Sequence, residues 1–254
     1  MGSSDNQYIR KAKKKRLIKR SMFIIILLAI IIWLFITKSS VFLIKNVSVT
    51  GDHLVTKDFI SEKVQEIKGE NIFFVKSDEV KKILKSDPYV GDISIKRKFP
   101  ATLEVSVTEK NIAYYIKSNS NYDVISSDLV LLENVDKLKT EGLIEIIGLE
   151  KQSGELGQKY CDVSGDSRIE NFFNTLYDIK KANSTSHKIT KVDVSNLSHI
   201  IVYFNDVKVK VGNGTDLTKK INTALNIMED KKLNFKKGYI DLSFEGAPVL
   251  KEEK

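Results

Sequence analysis

The chain has a single cysteine, Cys161, in 254 residues, so no intramolecular disulfide can form and its folded regions must rely on ordinary apolar cores. Three scattered histidines and one cysteine show no ligand spacing, and no metal set or cofactor is expected. Acidic residues are almost missing from the first 20 positions, where Asp5 stands against eight Lys/Arg. Charge of either sign is missing from Ser21 to Thr37, and Met22 through Ile36 are all apolar. What remains has globular composition, 42% hydrophobic and 29% charged.

The net charge of +8 invites a nucleic-acid reading until it is located. Residues 21–254 hold 33 basic and 32 acidic side chains, so the basic character belongs to the tail. No nucleic-acid partner is expected. Seventeen helical residues from 21 to 37 reach about 25 Å, against a hydrocarbon core of roughly 30 Å. Arg20 and Lys38 can snorkel across the difference, and Trp33 and Phe35 sit where interfacial aromatics belong. A cleaved signal peptide and a buried core helix are the alternatives. The residues after the run, Thr37-Lys-Ser-Ser-Val41, lack an A-x-A-like site, and all-round hydrophobicity suits a core helix poorly. An uncleaved anchor is the favoured reading. Lys13, Lys14, Lys15, Arg16, Lys19 and Arg20 then orient it, with residues 1–20 cytoplasmic and 38–254 outside.

Beyond the anchor, Val47 and Val49 alternate with polar residues up to Gly51, a strand and a turn. Thr56 is placed to cap a helix with Phe59, Ile60, Val64 and Ile67 on one face, ending near Gly69. Ser77 opens a second helix whose stripe is Val80, Ile83 and Leu84, stopped by Pro88. Alternation at Ile93 and Ile95, then at Leu103, Val105 and Val107, predicts two strands joined through Phe99-Pro-Ala101. The order is β-α-α-β-β. The segments Gly69-Glu-Asn-Ile-Phe73, Asp87-Pro-Tyr-Val90, Ile93-Ser-Ile-Lys-Arg97, Phe99-Pro100 and Leu103-Glu-Val-Ser-Val-Thr-Glu109 resemble a POTRA domain.

The rest is strand-rich. Tyr122–Ser126 and Leu129–Leu132 read as a hairpin, Leu143–Ile147 as a strand and residues 151–166 as a loop. Asp166 can cap a helix with Ile169, Phe172, Phe173, Leu176 and Ile179 on one face. His199–Phe204 and Val207–Val211 flank an Asn205-Asp206 turn, and a helix with Leu217, Ile221, Ala224, Leu225 and Met228 follows, with Thr215/Asp216 at its start. In the last strand Ile240, Leu242 and Phe244 alternate with Asp241, Ser243 and Glu245.

A POTRA domain behind one anchor, followed by Val209-Lys-Val-Gly212, Lys220-Ile221 to Leu225 and Ile240-Asp-Leu-Ser243, resembles the FtsQ/DivIB family of bacterial division proteins. Two departures stand out: Ser243 where Arg is common, and Lys110-Asn-Ile-Ala113 for Arg-x-x-Ala. The expected class is α+β, with a basic tail (1–20), a transmembrane helix (21–37), a POTRA domain (41–110), an extracytoplasmic β domain with an antiparallel sheet and two helices (111–250) and a short charged tail (251–254).

The resemblance implies a non-enzymatic divisome scaffold, enriched at the septum, whose partners are FtsB/DivIC-like and FtsL-like coiled-coil proteins and, indirectly, septal peptidoglycan synthases. Another POTRA-bearing scaffold in secretion or sporulation is the alternative. An anchored wall enzyme is weaker still. Cys161 lies in Lys159-Tyr-Cys-Asp-Val without the strand motif of sortase-like enzymes, and Gly212-Asn-Gly214 lacks the further residues of a phosphate loop. The expected partner site is a sheet edge over 239–250, with Tyr239, Ile240, Asp241, Leu242, Ser243, Phe244, Glu245, Gly246, Ala247 and Val249 as candidates.

Overall fold

The computed structural model describes residues 4–51, 56–152, 154–162, 167–233 and 235–253. The mixed α+β chain begins with one helix, α1 (Ser4–Lys38), unbroken through the basic and apolar segments. Within its Lys13–Lys38 stretch an 18-residue window reaches a mean hydropathy of 2.5 with none of that window buried, whereas a core helix is mostly buried. α1 is long and apolar enough to cross a membrane. The two hydroxyls of the apolar run bond back to the helix, Ser21 Oγ to Ile18 O at 3.0 Å and Thr37 Oγ1 to Trp33 O at 2.9 Å. Neither therefore presents an unpaired donor to lipid.

Two compact units follow from the packing: residues 1–52, 57–84 and 93–107, and residues 53–56, 85–92 and 108–254. The POTRA-like elements are β1 (Asn46–Thr50), α2 (Lys57–Gln65), α3 (Ser77–Leu84), β2 (Val90–Lys98) and β3 (Thr102–Glu109), in the sheet order β1-β3-β2. β1 lies parallel to β3, with Val47 opposite Leu103 and Val49 opposite Val105. Ile60, Val64, Ile67, Val80, Leu84, Leu103 and Val105 are buried as their spacing predicts, and Ile72 is buried with them. Ile83 is 38% exposed and leaves the expected stripe. At about 100° per residue it sits roughly 60° to one side of Val80 while Leu84 sits about 40° to the other, and in so short a helix only one arc is covered. The Thr56 hydroxyl, expected to cap α2, donates to Glu109 Oε1 at 3.0 Å.

The second unit carries β4 (Ile112–Ser118), β5 (Asn121–Ser126), β6 (Leu131–Val135), β7 (Ile144–Ile147), α4 (Ser167–Ala182), β8 (Lys191–Asp193), β9 (Ile200–Phe204), β10 (Val207–Gly212), α5 (Leu217–Glu229), β11 (Gly238–Asp241) and β12 (Val249–Glu252). The strands form one sheet ordered β12-β11-β10-β9-β8-β7-β4-β5-β6. Its hairpins are antiparallel, but β4/β7, β7/β8 and β10/β11 pair parallel, so the sheet is mixed rather than wholly antiparallel. The helices explain two of these pairs, β7/β8 and β10/β11. α4 carries the chain from β7 to β8 and α5 from β10 to β11, and a crossover helix returns a strand in the same direction. Phe172, Phe173, Leu176 and Ile179 of α4 share one core with Ile221, Ala224 and Leu225 of α5 and with Val202, Val209 and Ile240 of the strands. The expected Asp166 cap lies outside the described residues.

A buried carboxylate on β7 ties three strands together. Glu145 accepts Lys117 Nζ of β4 at 2.8 Å and Lys191 Nζ of β8 at 3.2 Å. Burial pulls its pKa upward, but the hydrogen bonds and charges of the two lysines outweigh this, and the carboxyl lies below its ordinary value of 4.5. A folded-state pKa lowered in this way adds stability that is present above the unfolded value and is lost as pH falls through the folded one. Glu145→Gln should therefore flatten the loss of thermal stability below about pH 4.5 relative to the parent, measured as melting temperature against pH. Equal slopes for the two proteins would show that this carboxylate does not couple to folding.

Candidate functional site

The end of the sheet from β9 to β12 is where the expected site residues fall. Alternation on β10 buries Val207, Val209 and Val211 and turns Lys208 outward. The Asn205-Asp206 turn that precedes it has Asn205 at φ 53°, the left-handed conformation expected of such a pair. The residue before α5, Asp216, is itself left-handed (φ 53°) and makes no side-chain cap bond. The polar contacts at this turn belong to Asn213, whose Oδ1 accepts Thr215 N at 3.1 Å and Thr215 Oγ1 at 2.9 Å. Gly212-Asn-Gly214 is thus accounted for by turn geometry.

β11 sits inside the sheet, parallel to β10 on one side and antiparallel to β12 on the other. This corrects the expected edge. Residues 239–250 are not one terminal strand: β11 ends at Asp241, residues 242–248 bend, and Val249–Glu252 return as β12. Ile240 is fully buried and Leu242 nearly so. Tyr239 and Asp241 face the other way and are held by Lys210, whose Nζ lies 4.0 Å from the Tyr239 ring centre and 3.5 Å from Asp241 Oδ2. Asp241 Oδ1 also accepts Ser243 N at 3.0 Å and Ser243 Oγ at 2.6 Å, so the serine that departs from the family pattern closes the bend after β11. Gly238 opens β11 at φ 124°, and a Cβ there would stand 2.1 Å from Lys251 O. β12 can therefore lie this close only to glycine.

The outer side of β12 has no strand beside it in the sheet order among the described residues. All four of its residues are exposed, and with Phe244 (49%), Val249 (47%) and Leu250 (39%) the edge is apolar as well as open. The opposite edge differs. At β6, Leu131 donates to Gln158 O at 2.9 Å and accepts from Gly157 N at 2.8 Å, so a loop covers its start. Of the residues singled out in the sequence, only Val249 belongs to the open strand, while Phe244, Glu245, Gly246 and Ala247 form the bend leading to it. Leu250 lay inside the expected span without being named, and Lys251 and Glu252 lay beyond it. The apolar pair Val249-Leu250 behind Gly246-Ala-Pro248 is the signal that could have found them.

Elsewhere the chemistry is sparse. Cys161 is buried, and burial raises its thiol pKa, with Lys159 opposing only in part, so the nucleophilic thiolate is disfavoured. An open groove of about 860 Å³ between α4 and α5 is lined mainly by amides and hydroxyls such as Asn171, Thr175, Asn222 and Asn226. Among the described residues no three His, Cys, Asp or Glu side chains converge as a metal site.

Comparison with known proteins agrees with this architecture. Residues 42–110 match the family model described as POTRA domain, FtsQ-type, and residues 113–243 match that of cell division protein FtsQ/DivIB, C-terminal. The chain is 35% identical over 208 residues to cell division protein DivIB of Clostridium acetobutylicum, covering 82% of each chain. It is 30% identical over 252 residues to DivIB of Clostridium botulinum, covering 99% of this chain and 98% of the relative. To cell division protein FtsQ of Corynebacterium glutamicum it is 26% identical over 111 residues, 44% of this chain and 49% of the relative. With both halves matched in order behind an apolar helix fitting a single membrane anchor, the chain belongs to the FtsQ/DivIB family of cell division proteins.

Proposed function

We propose that this protein is a non-enzymatic scaffold of the division machinery that recruits its partners by strand addition to the outer edge of β12. The observation that carries the reading is the open, apolar edge at Val249–Glu252, set beside a fully paired β11. An extended segment laid along such an edge gains main-chain hydrogen bonds for affinity and side-chain contacts for specificity. Phe244, Val249 and Leu250 offer those contacts. The partners in this reading are FtsB/DivIC-like and FtsL-like coiled-coil proteins, through which the scaffold supports septal wall synthesis.

The topology in this reading follows from charge. Lys13, Lys14, Lys15, Arg16, Lys19 and Arg20 stay cytoplasmic, residues 21–37 cross the membrane, and the regions 41–110 and 111–250 lie outside. The anchored protein gathers at the septum.

The experiment is depletion of the protein in its own cells, combined with imaging and affinity capture of a fluorescent, tagged full-length copy. Filamentous cells on depletion, a mid-cell band, and capture of two short coiled-coil division proteins are the expected results. Normal division without the protein, or a uniform membrane signal, sinks the reading.

A further inference from the structure

Within the first unit, aromatic rings run without a gap from the end of α1 onto the folded elements. Phe35 meets Phe42 at 5.7 Å between ring centres, Phe42 meets Phe73 at 5.2 Å, and Phe73 meets Phe99 at 4.9 Å. Trp33 meets Phe74 at 6.1 Å. A cluster this size normally sits in a core, yet Phe73 is 41%, Phe74 50% and Phe99 57% exposed. Three neighbouring phenylalanines half open to solvent call for a partner surface.

The attachment to α1 is direct and hydrogen-bonded. Ser39 N donates to Phe35 O at 3.0 Å, its hydroxyl accepts Val41 N at 3.2 Å, and a single 3₁₀ turn, Ser40–Phe42, follows at once. Asn71 Nδ2 donates to Ile36 O at 2.8 Å, satisfying one of the carbonyls that a helix leaves open at its C-terminal end. The same asparagine forms the turn that presents the rings. Its Oδ1 accepts Phe73 N at 3.0 Å and its carbonyl accepts Phe74 N at 2.9 Å. Main-chain bonds between Phe42–Ile44 and the 69–72 segment complete the clamp, including Ile72 N to Phe42 O at 2.9 Å. No flexible linker separates the apolar helix from the exposed rings.

We infer that Phe73, Phe74 and Phe99 insert into the interfacial zone of the bilayer leaflet from which the C-terminal end of α1 emerges, so that the first unit docks on the lipid surface. The inference rests on α1 being the membrane anchor. Trp33 to Lys38 spans about 7.5 Å of helix, comparable with the roughly 5–10 Å depth reached by the apolar face of interfacial segments. Phe74, held against Trp33, and Phe73 and Phe99, linked through Phe42 to Phe35, are thereby kept near the headgroup boundary, where aromatic side chains concentrate. Lys45 and Lys68, both exposed, adjoin the clamped segments, where they outnumber the exposed Glu70 and suit an anionic headgroup surface.

The test uses the full chain carrying Cys161→Ala, reconstituted in vesicles of phosphatidylcholine and phosphatidylglycerol. An environment-sensitive fluorophore is placed singly at Lys76→Cys or Lys98→Cys beside the rings, or at Ile26→Cys inside the anchor. Lipids with a spin label near the headgroup should quench the labels at 76 and 98, and lipids labelled deep in the acyl chain should quench the label at 26. Serine at positions 73, 74 and 99 together should remove at least half of the shallow quenching. Should that triple variant not fold by circular dichroism, Phe99→Ser alone takes its place. Unquenched labels at 76 and 98 beside a quenched label at 26 overturn the docking while leaving the anchor intact. Shallow quenching that ignores the serine substitutions overturns the role of the rings. An unquenched label at 26 removes the anchor, and the docking with it.

Discussion

Leu250→Pro is expected to weaken capture of the proposed coiled-coil partner at least about tenfold while leaving the melting temperature of the purified chain within a few degrees of the parent. The hydrogen-bond phase of the sheet sets this expectation. Gly238 N donates to Asp206 O at 3.2 Å and Leu242 N to Lys210 O at 2.9 Å, so alternate β11 amides from Gly238 onward turn to β10. Those of Tyr239 and Asp241 therefore turn to β12. From the other strand, Glu253 N donates to Lys237 O at 3.2 Å, which makes Lys251 and Val249 the bonded partners in the same antiparallel alternation. Both views leave the amides of Leu250 and Glu252 pointing away from the sheet.

Proline at 250 thus deletes an outward donor and sets its ring where an added strand would lie, without removing a bond to β11. One lost hydrogen bond at about 1 kcal/mol, with the steric block beside it, gives the tenfold figure, since about 1.4 kcal/mol is a factor of ten. Leu250→Val keeps the amide and should bind nearly as the parent does. Undiminished capture by Leu250→Pro, measured by titration against the purified partner, would exclude strand addition at β12. Ile240 cannot serve in this test. It is fully buried, so a charge there would report on folding.

Phe173→Ala is expected to destabilise the chain by about 3–5 kcal/mol, the usual cost of deleting a fully buried phenylalanine. Its ring is wholly inaccessible, packed edge-on to Tyr114 at 5.1 Å and to Phe172 at 5.3 Å between centres. Its carbonyl accepts the Tyr114 hydroxyl at 2.5 Å, so backbone and side chain of one residue join α4 to β4. At about 2–4 °C per kcal/mol for a region of this size, the melting temperature should fall by roughly 6–20 °C, read by calorimetry in detergent. Tyr114→Phe, which removes only the hydrogen bond, should cost about 1 kcal/mol. A fall below about 3 °C for Phe173→Ala would mean that the cavity collapses and that this seam adds little.

Much of the fold was legible because its signals are local. The run Met22–Ile36 has no charge to misread, and the spacing of Phe172, Phe173, Leu176 and Ile179 allows only one buried helix face. Valine alternation on β10 and the Asn205 turn specify a hairpin from a dozen residues. Ile83 was misplaced because periodicity names a stripe without saying how wide the covering surface is. Thr215/Asp216 marked the start of α5, but a residue type suited to capping also tolerates the left-handed backbone that Asp216 adopts, and only the turn geometry selects between them.

The candidate site was half legible for a further reason. Alternation at Ile240 and Leu242 reveals a strand, yet a strand covered on both sides reads the same as one covered on one side. Edge status is a property of backbone amides, which every non-proline residue carries alike. The sequence by itself determined the apolar N-terminal helix, the β-α-α-β-β unit and the strand-rich region behind it, because helix faces and strand alternation arise between neighbours a few residues apart. The tertiary structure alone decided that β7 and β8 run parallel, that β12 rather than β11 is the open edge, and that Phe73, Phe74 and Phe99 gather at the foot of α1. Those features depend on pairing and packing between residues distant in sequence, where many partners are chemically equivalent and the whole fold makes the choice.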